Sequence, residues 1–451
     1  MSLIGLEIHG YLDTKEKLFC NCSTNSEKPN TSICPICTGQ PGSKPMLPNK
    51  EAIKKSIQIG LMLSTKINIS ENEKNLIWQR KHYNWPDLPK GYQNTLSGSY
   101  AVPIGENGKF LGVRIRELHL EEDPAAWDPV TGQIDYNRSG LPLIEIVTEP
   151  DFTSSEQVAD WLKNLIITLS YIKSIKKSSG IKADVNVNIK GKSERAEIKN
   201  IHSISDITKA IEYELKRHEK DKPKFKETRR WNSQKNITEP MRTKESQADY
   251  RFISDPDLPA IKIIEKEVEE IKASLPETPE EKLKKLIKKH KIAEKDAKIL
   301  TKNLELVELV EELSKYVDVK NHISWITIEL LRVLNYSKKT LEEVEIQAKH
   351  IGELINAVKD KSITELKAKQ IMNEFIPKSF SIKDKKGISK IKDSEIKPLC
   401  IKVIKENPKA VEDYKNGEEK SLNFLIGKIM SLSNKRADFK TAKDELLKLL
   451  K

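Results

Sequence analysis

The chain has 451 residues, 37% of them hydrophobic, which is enough apolar material for cores in two to four domains and excludes a wholly disordered protein. Its 79 Lys and Arg against 67 Asp and Glu leave a formal charge of +12. Residues 381–451 hold 18 basic and 11 acidic side chains, so +7 of that excess sits at the C-terminal end. A polyanionic partner is the expected reason, with a solvated Lys-rich surface as the plainer alternative.

The first element is the strand-like run at 3–12, in which two-residue alternation puts Glu7 and His9 on one face and Leu6 and Ile8 on the other. Four cysteines follow within eighteen residues, as Cys20-x-Cys22 and Cys34-x-x-Cys37, joined by a short Asn/Ser/Thr/Pro loop. Four thiolates so spaced suit one tetrahedral Zn²⁺ held structurally, at about 2.3 Å per bond. A redox pair at Cys34 and Cys37 is the competing reading, although it needs neither Cys20 nor Cys22. Further β-type runs lie at 109–120, 141–148 and 184–190, with helical stretches at 154–177 and 204–219. In the run to Asp123, Glu117, His119 and Glu121 share one face and Glu122 ends the opposite one; Glu145 stands between Ile144 and Ile146. Thr278, Pro279 and Glu281 form an N-terminal capping signal, so a helix is expected from there. Helical spacing continues to about 380, and a Lys/Asp/Gly linker at 383–387 introduces a short helical tail. Cys400, in the apolar context Pro398-Leu399-Cys400-Ile401, reads as a small core residue.

Acids and histidines on one face of apolar strands repel one another unless a cation sits among them. Oxygen ligands with an occasional His suit Mg²⁺ or Mn²⁺, which commonly hold nucleotide phosphates. The chain has no Walker-type Gly-rich loop and no kinase signature, so a nucleotide site would be of another kind. No apolar run of about 18 residues and no leader-like N-terminus is seen, so no membrane contact and a cytoplasmic location are expected.

Nine motifs in order resemble the B subunit of the aspartyl/glutamyl-tRNA amidotransferases. They include GLEIHG at 5–10, CPICTGQPG at 34–42, RKHYNWPDLPKGYQ at 80–93, HLEED at 119–123 and DYNRSGLPLIEIVTEPD at 135–151. EIKNIHS at 197–203, ETRRW at 227–231 and MRTKESQADYRFISDPDLP at 241–259 continue the likeness, which reaches the tail. The resemblance implies ATP-dependent transamidation of misacylated Glu-tRNA(Gln), Asp-tRNA(Asn) or both. The side-chain carboxylate is phosphorylated and then amidated with ammonia from an amidase-type A subunit acting as glutaminase, with a small C subunit bracing the pair. It further implies a Mg²⁺ site at Glu7, His9, Glu122 and Glu145 with Glu121 close by, and a zinc knuckle at about 18–40 formed by Cys20, Cys22, Cys34 and Cys37. Glu122, Glu145, Lys90 and Tyr92 become catalytic candidates, and Arg138, Lys199 and Asn200 candidates for ATP or the aminoacyl end. Lys182 stands where many members carry Arg, which would lose a bidentate fork on a phosphate or carboxylate.

The expected fold is α+β: a mixed-sheet N-terminal catalytic cradle domain (1–268), an all-helical domain (269–382) and a small helical tRNA-binding tail (383–451). Two other classes compete. A non-catalytic tRNA-binding assembly subunit leaves the strand carboxylates unexplained, and a generic ATP-dependent ligase for a small acid leaves the basic tail unexplained.

Overall fold

The structure, a computed structural model, describes residues 1–70, 75–83, 85–98, 100–176, 181–241 and 250–450. It divides the chain into two compact units, Met1–Thr278 and Pro279–Lys451. In chain order the strands of the first unit are β1 (Ser2–Tyr11), β2 (Lys66–Ile67), β3 (Gln79–His82), β4 (Tyr92–Thr95), β5 (Gly105–Phe110), β6 (Val113–Glu122) and β7 (Ala126–Trp127). They continue as β8 (Ile134–Asp135), β9 (Pro142–Thr148), β10 (Ile181–Ile189), β11 (Ala196–Ile201), β12 (Glu227–Asn232), β13 (Ile237–Pro240) and β14 (Arg251–Ser254). The main sheet has the order β13, β12, β11, β10, β1, β9, β6, β4, β3, β14, with β5 on β6 and β2 on β5, while β7 and β8 pair separately. Its neighbours are antiparallel except β11 and β12, which makes the sheet mixed.

The run at 109–120, read as one strand, is two. Leu111 and Gly112 take φ of 47° and 86°, and Phe110 pairs with Val113. Two consecutive left-handed residues are what a tight two-residue hairpin requires, and a leucine at the first hides that turn in the sequence.

One face of the sheet is dry. Leu6 and Ile8 of β1, Val185 and Val187 of β10, Ile144 and Ile146 of β9, and Leu118 and Leu120 of β6 are all buried. They pack in one core with helices α1 (Lys50–Met62), α2 (Ser155–Tyr171) and α3 (Ile204–Asp221). Asn49, Ser154 and Ser203 start these helices, each side chain accepting a backbone N–H of the first turn. Because side chains alternate, the other face of the same strands carries the polar set, and a one-residue slip would exchange the two. Helix α4 (Glu265–Ser274) lays Val268 and Ile271 against this core, so the first unit runs past residue 268 to Thr278.

A charged group is buried between α3 and the sheet edge. Glu214, fully buried, accepts from Arg217 at 2.8 Å and from Thr238, and lies 3.1 Å from Arg229 and 3.2 Å from His218 Nε2. Burial pushes the carboxyl up, but His218 and Arg217 outweigh it and hold it at about 2. Its contribution is therefore complete above the ordinary value of 4.5 and is lost as pH falls toward 2. Glu214→Gln, which leaves the buried Arg229 and the half-buried Arg217 with Glu227 as their shared carboxylate, is expected to destabilise the first unit by about 3 kcal/mol in urea unfolding. A loss under 1 kcal/mol would show the group to be dispensable.

The second unit is helical. Helix α5 (Pro279–Lys288) begins where the capping signal lies. Two apolar clusters follow within this one unit, one spanning Leu286 to Ile388, and so running past the linker expected at 383–387, and one spanning Ile396 to Leu450. In the second, Cys400 is fully buried among Val403, Leu425, Ile429 and Leu446, while Lys402, Lys405, Lys409, Lys428 and Lys435 stay exposed. The mixed sheet followed by helices is the expected α+β class. Among the described residues no helix is long and apolar enough to cross a membrane.

Candidate active site

The polar face of the sheet is organised by register. Lys182, His9, Glu145 and His119 stand directly opposite one another across β10, β1, β9 and β6. The next row is Asp184, Glu7, Val147 and Glu117, and on the other side Glu121 pairs with Leu143 and Thr95. Directly opposed side chains on one face lie about 5 Å apart, so the rows bring together groups more than 100 residues apart in sequence. Over this face opens a cavity of about 420 Å³ lined by His9, Tyr11, Lys81, Tyr83, Asp87, Gln93, Glu121, Asp123, Pro124, Arg138, Leu143, Lys182, Asp184, Lys199 and His202.

His9 Nε2 lies 3.6 Å from Glu145 Oε1 and 4.0 Å from Glu121 Oε1. Burial would lower the His9 pKa, but the neighbouring carboxylate of Glu145, with those of Glu121 and Asp184, carries it up to about 9. Glu145, whose burial opposes ionisation, is held below the usual carboxylate range by His9. Glu121 moves the other way, raised by burial and by the charge of Glu145. Two carboxylates around one imidazole attract positive charge, either a proton on that ring or, in its place, a cation shared by all three side chains. The three side chains offer one nitrogen and two oxygens all within 4.8 Å of one another, a donor set that fits a hard divalent cation.

Glu7 belongs to a neighbouring group. With Asp184 and Glu197 it surrounds Lys199, whose ammonium bonds both Asp184 and Glu197, and Asn186 donates to Glu7 at 3.1 Å. Burial would lower the Lys199 pKa, but Asp184, Glu197 and Glu7 raise it well above the ordinary lysine value. Lys199 thus fills with a protein cation the space that a second metal would take. Asn200 follows on β11; its side chain lies outside the described residues.

Arg138 reaches the cavity wall. Its Nε donates to Pro124 O at 2.9 Å and lies 3.3 Å from Asp123 Oδ2, and its terminal nitrogen donates to Ala125 O. Tyr11 donates to the same Asp123 oxygen at 2.5 Å and accepts from Lys182 at 3.2 Å.

Three of the sequence candidates are elsewhere. Glu122, one residue beyond Glu121, turns to the opposite face, where its carboxylate pairs with Lys90 and accepts from Asn94 N at 2.9 Å. Lys90 and Tyr92 share that face, with Arg80 stacked over the Tyr92 ring at 4.6 Å and bridged to Asp255 and Asp257. The physical reason is the strand period of two: Glu121 and Glu122 cannot both face the cavity while β6 stays regular. The Glu122, Lys90 and Tyr92 group therefore clamps β4 to β6 from behind, apart from the donor set at His9.

The four cysteine Sγ atoms lie within 4.8 Å of one another, with Cys34 and Cys37 at 3.9 Å. A tetrahedron with bonds of about 2.3 Å needs sulfurs about 3.8 Å apart, so the residues fit zinc after a small contraction. Cys34 N donates to Cys37 Sγ at 3.2 Å, as metal-bound thiolates commonly accept. The Cys37 thiol is pushed down to about 4, chiefly by the neighbouring Cys20 thiol, with the buried Lys17 ammonium adding to it.

Sequence reasoning missed Tyr11, Lys81, Tyr83, Asp123, Asp184, Glu197 and His202. A signal existed for Asp184, an acid between Ala183 and Val185 in an apolar strand, which is the pattern that singles out Glu145. Lys81 and His202 lie inside the motifs at 80–93 and 197–203, but nothing in their local pattern marks them as cavity residues, a place they reach through the fold.

Residues 2–269 match the family described as the GatB/GatE catalytic domain, and residues 308–450 match the GatB domain. The chain is 42% identical to the B subunit of the aspartyl/glutamyl-tRNA(Asn/Gln) amidotransferase of Methanocaldococcus jannaschii, over 98% of this chain and 96% of that one. It is 43% identical to the B subunit of the same name from a strain of Methanococcus maripaludis, over 96% and 95%, and 41% identical to that of Methanothermobacter thermautotrophicus, over 96% and 97%.

Proposed function

The chain belongs to the B-subunit family of aspartyl/glutamyl-tRNA(Asn/Gln) amidotransferases, and we propose from that premise that its cavity carries out the ATP-dependent amidation of misacylated Glu-tRNA(Gln), Asp-tRNA(Asn) or both. The reading is supported above all by one juxtaposition: the donor set His9, Glu121 and Glu145 shares a cavity with the cations Lys81, Arg138, Lys182 and Lys199. A site for transferring phosphate between anions needs both.

A carboxylate is a poor electrophile because oxide is a poor leaving group. One carboxylate oxygen of the aminoacyl side chain bonds the γ-phosphorus of ATP as the bond to ADP breaks; ammonia then bonds the carbonyl carbon and phosphate leaves. Mg²⁺ held by His9, Glu121 and Glu145 would neutralise charge on the transferring phosphoryl group. Arg138 and Lys199 are oriented in advance by Asp123 and by Asp184 with Glu197, so they meet developing phosphate charge without reorganising. Lys182 has no carboxylate within ion-pair distance among the described residues, and burial lowers its pKa. An incoming anion restores what that burial takes away. Ammonia comes from a glutaminase A subunit, a small C subunit completes a heterotrimer, and Zn²⁺ at Cys20, Cys22, Cys34 and Cys37 is structural. The assembly works in the cytoplasm.

Incubating the purified complex with ATP, glutamine and charged Glu-tRNA, and separately Asp-tRNA, tests this. One amide is expected per ATP cleaved. Amide formed without ATP, or from neither tRNA, overturns the reading.

The tail should hold tRNA by backbone and shape, because exposed lysines around a packed apolar face grip phosphates without reading bases. Truncation at Gly387 is expected to raise the KM for aminoacyl-tRNA about tenfold or more, with turnover at saturation little changed and a shallower salt dependence. Equal affinity and salt slope in filter binding would make this region an assembly element.

A further inference from the structure

We propose that Asn137 and Ser139 are positioning residues that tie the cysteine knuckle to the loop carrying Arg138, so that the knuckle sets the place of a cavity cation. Residues 134–140 are bonded to the knuckle almost continuously. Ser139, buried, donates Oγ to Cys37 O at 2.7 Å. Asn137, also buried, accepts from Ser32 N at 2.8 Å and donates to Lys28 O at 2.6 Å. From the other side Asn30 donates its side chain to Ile134 O at 2.9 Å and accepts from Tyr136 N at 2.7 Å, and its backbone N–H reaches Asp135 at 2.9 Å. Lys17 donates to Tyr136 O at 3.1 Å.

The Arg138 side chain turns away from the knuckle, toward Asp123, Pro124 O and Ala125 O. The loop then closes on the same wall: Gly140 donates to Asp123 O at 2.9 Å and accepts from Leu18 N at 2.8 Å. Gly140 has φ of +81°, and a β-carbon built there would lie 3.7 Å from Cys37 Cβ, so the loop backbone passes beside the knuckle. Most knuckle residues between 21 and 33 are exposed and bring no core of their own. The order of the Arg138 loop is thus borrowed from the cysteine cluster. Misplacing a positioned charge by about 1 Å is enough to cost up to about 100-fold in a reaction, so the link bears on substrate binding as well as on stability.

The effect on nucleotide rests on the function proposed above; the effect on loop order does not. In the full complex, Asn137→Ala with Ser139→Ala is expected to speed amide hydrogen exchange at Ala125 and Gly140 about tenfold while zinc content by elemental analysis stays unchanged. The same double variant should weaken binding of Mg²⁺ with the β,γ-imido analogue of ATP about tenfold, and less than twofold when Arg138→Ala is already present, because the two side chains act through that arginine. If the double variant does not fold, Ser139→Ala alone should give changes of the same kind at about threefold. Unchanged exchange, or a binding defect of equal size with and without Arg138, overturns the proposal. Failure of the unsubstituted complex to bind the analogue would count against the proposed function, and the exchange result would still decide this inference.

Discussion

Replacing Glu145 with Gln in the assembled complex is expected to reduce ATP-dependent amide formation by about 10³-fold or more, equivalent to about 4 kcal/mol of transition-state stabilisation. The substitution keeps the shape of a side chain seated opposite both His9 and His119 and removes its charge. His9 loses its nearest carboxylate, 3.6 Å away, and the donor set loses one of two anionic oxygens. The loss should appear in formation of the acyl phosphate, measured as tRNA-dependent ADP release, while glutamine hydrolysis by the partner survives at least in part. Glu122→Gln is the contrasting control. Its carboxylate faces Lys90 and Asn94 behind the sheet, so its replacement should cost about 1 to 3 kcal/mol of stability and much less activity. Near-normal amidation by the Glu145 variant would make Glu145 a buried structural acid. A loss of catalysis confined to the Glu122 variant would move the chemistry to the other face.

The second large effect concerns the knuckle. Purified without chelators, the protein is expected to hold one Zn²⁺ per chain, and Cys34→Ser or chelation to make the first unit unfold at markedly lower temperature. Structural zinc contributes about 10 to 16 kcal/mol of binding free energy in small peptides. In this protein part of that free energy would hold residues that bury little apolar surface and are fastened to 134–140 by polar bonds. The tail belongs to the other compact unit, so binding of tRNA through it should persist in the Cys34 variant. Elemental analysis finding no zinc would end the idea. A Cys34→Ser variant with an unaltered melting curve would reduce the cluster to four neighbouring thiols.

Much of this protein is determined locally. Alternation alone puts Glu7 with His9, and Glu117 with His119 and Glu121, on single faces, because the period of a strand is a property of its backbone. The spacing of the four cysteines is enough to gather them, since a short loop limits how far apart their sulfurs can lie. Thr278 and Pro279 mark a helix start by their own φ preference and capping group, and the helix begins at Pro279. The turn at Leu111 and Gly112 escaped because tertiary pairing of β5 with β6 imposes a left-handed conformation on a residue that does not prefer it.

What alternation cannot say is which faces meet. His9, Glu121 and Glu145 become one site only because β1 pairs with β9 and β9 with β6 in one register, and strand order is a long-range property. The same order carries Glu7 toward Asp184, Glu197 and Lys199, and brings Lys81, Lys182 and Arg138 to the cavity. Glu122 is the sharpest case. Its sequence neighbour Glu121 faces the cavity, and the two are chemically alike, so only the pairing of β6 with its neighbours decides which of them meets His9 and which meets Lys90. Side-chain chemistry and local period are written in the chain residue by residue. Juxtaposition across strands is fixed by burying one continuous apolar face under α1, α2 and α3, and that choice is made by the fold as a whole.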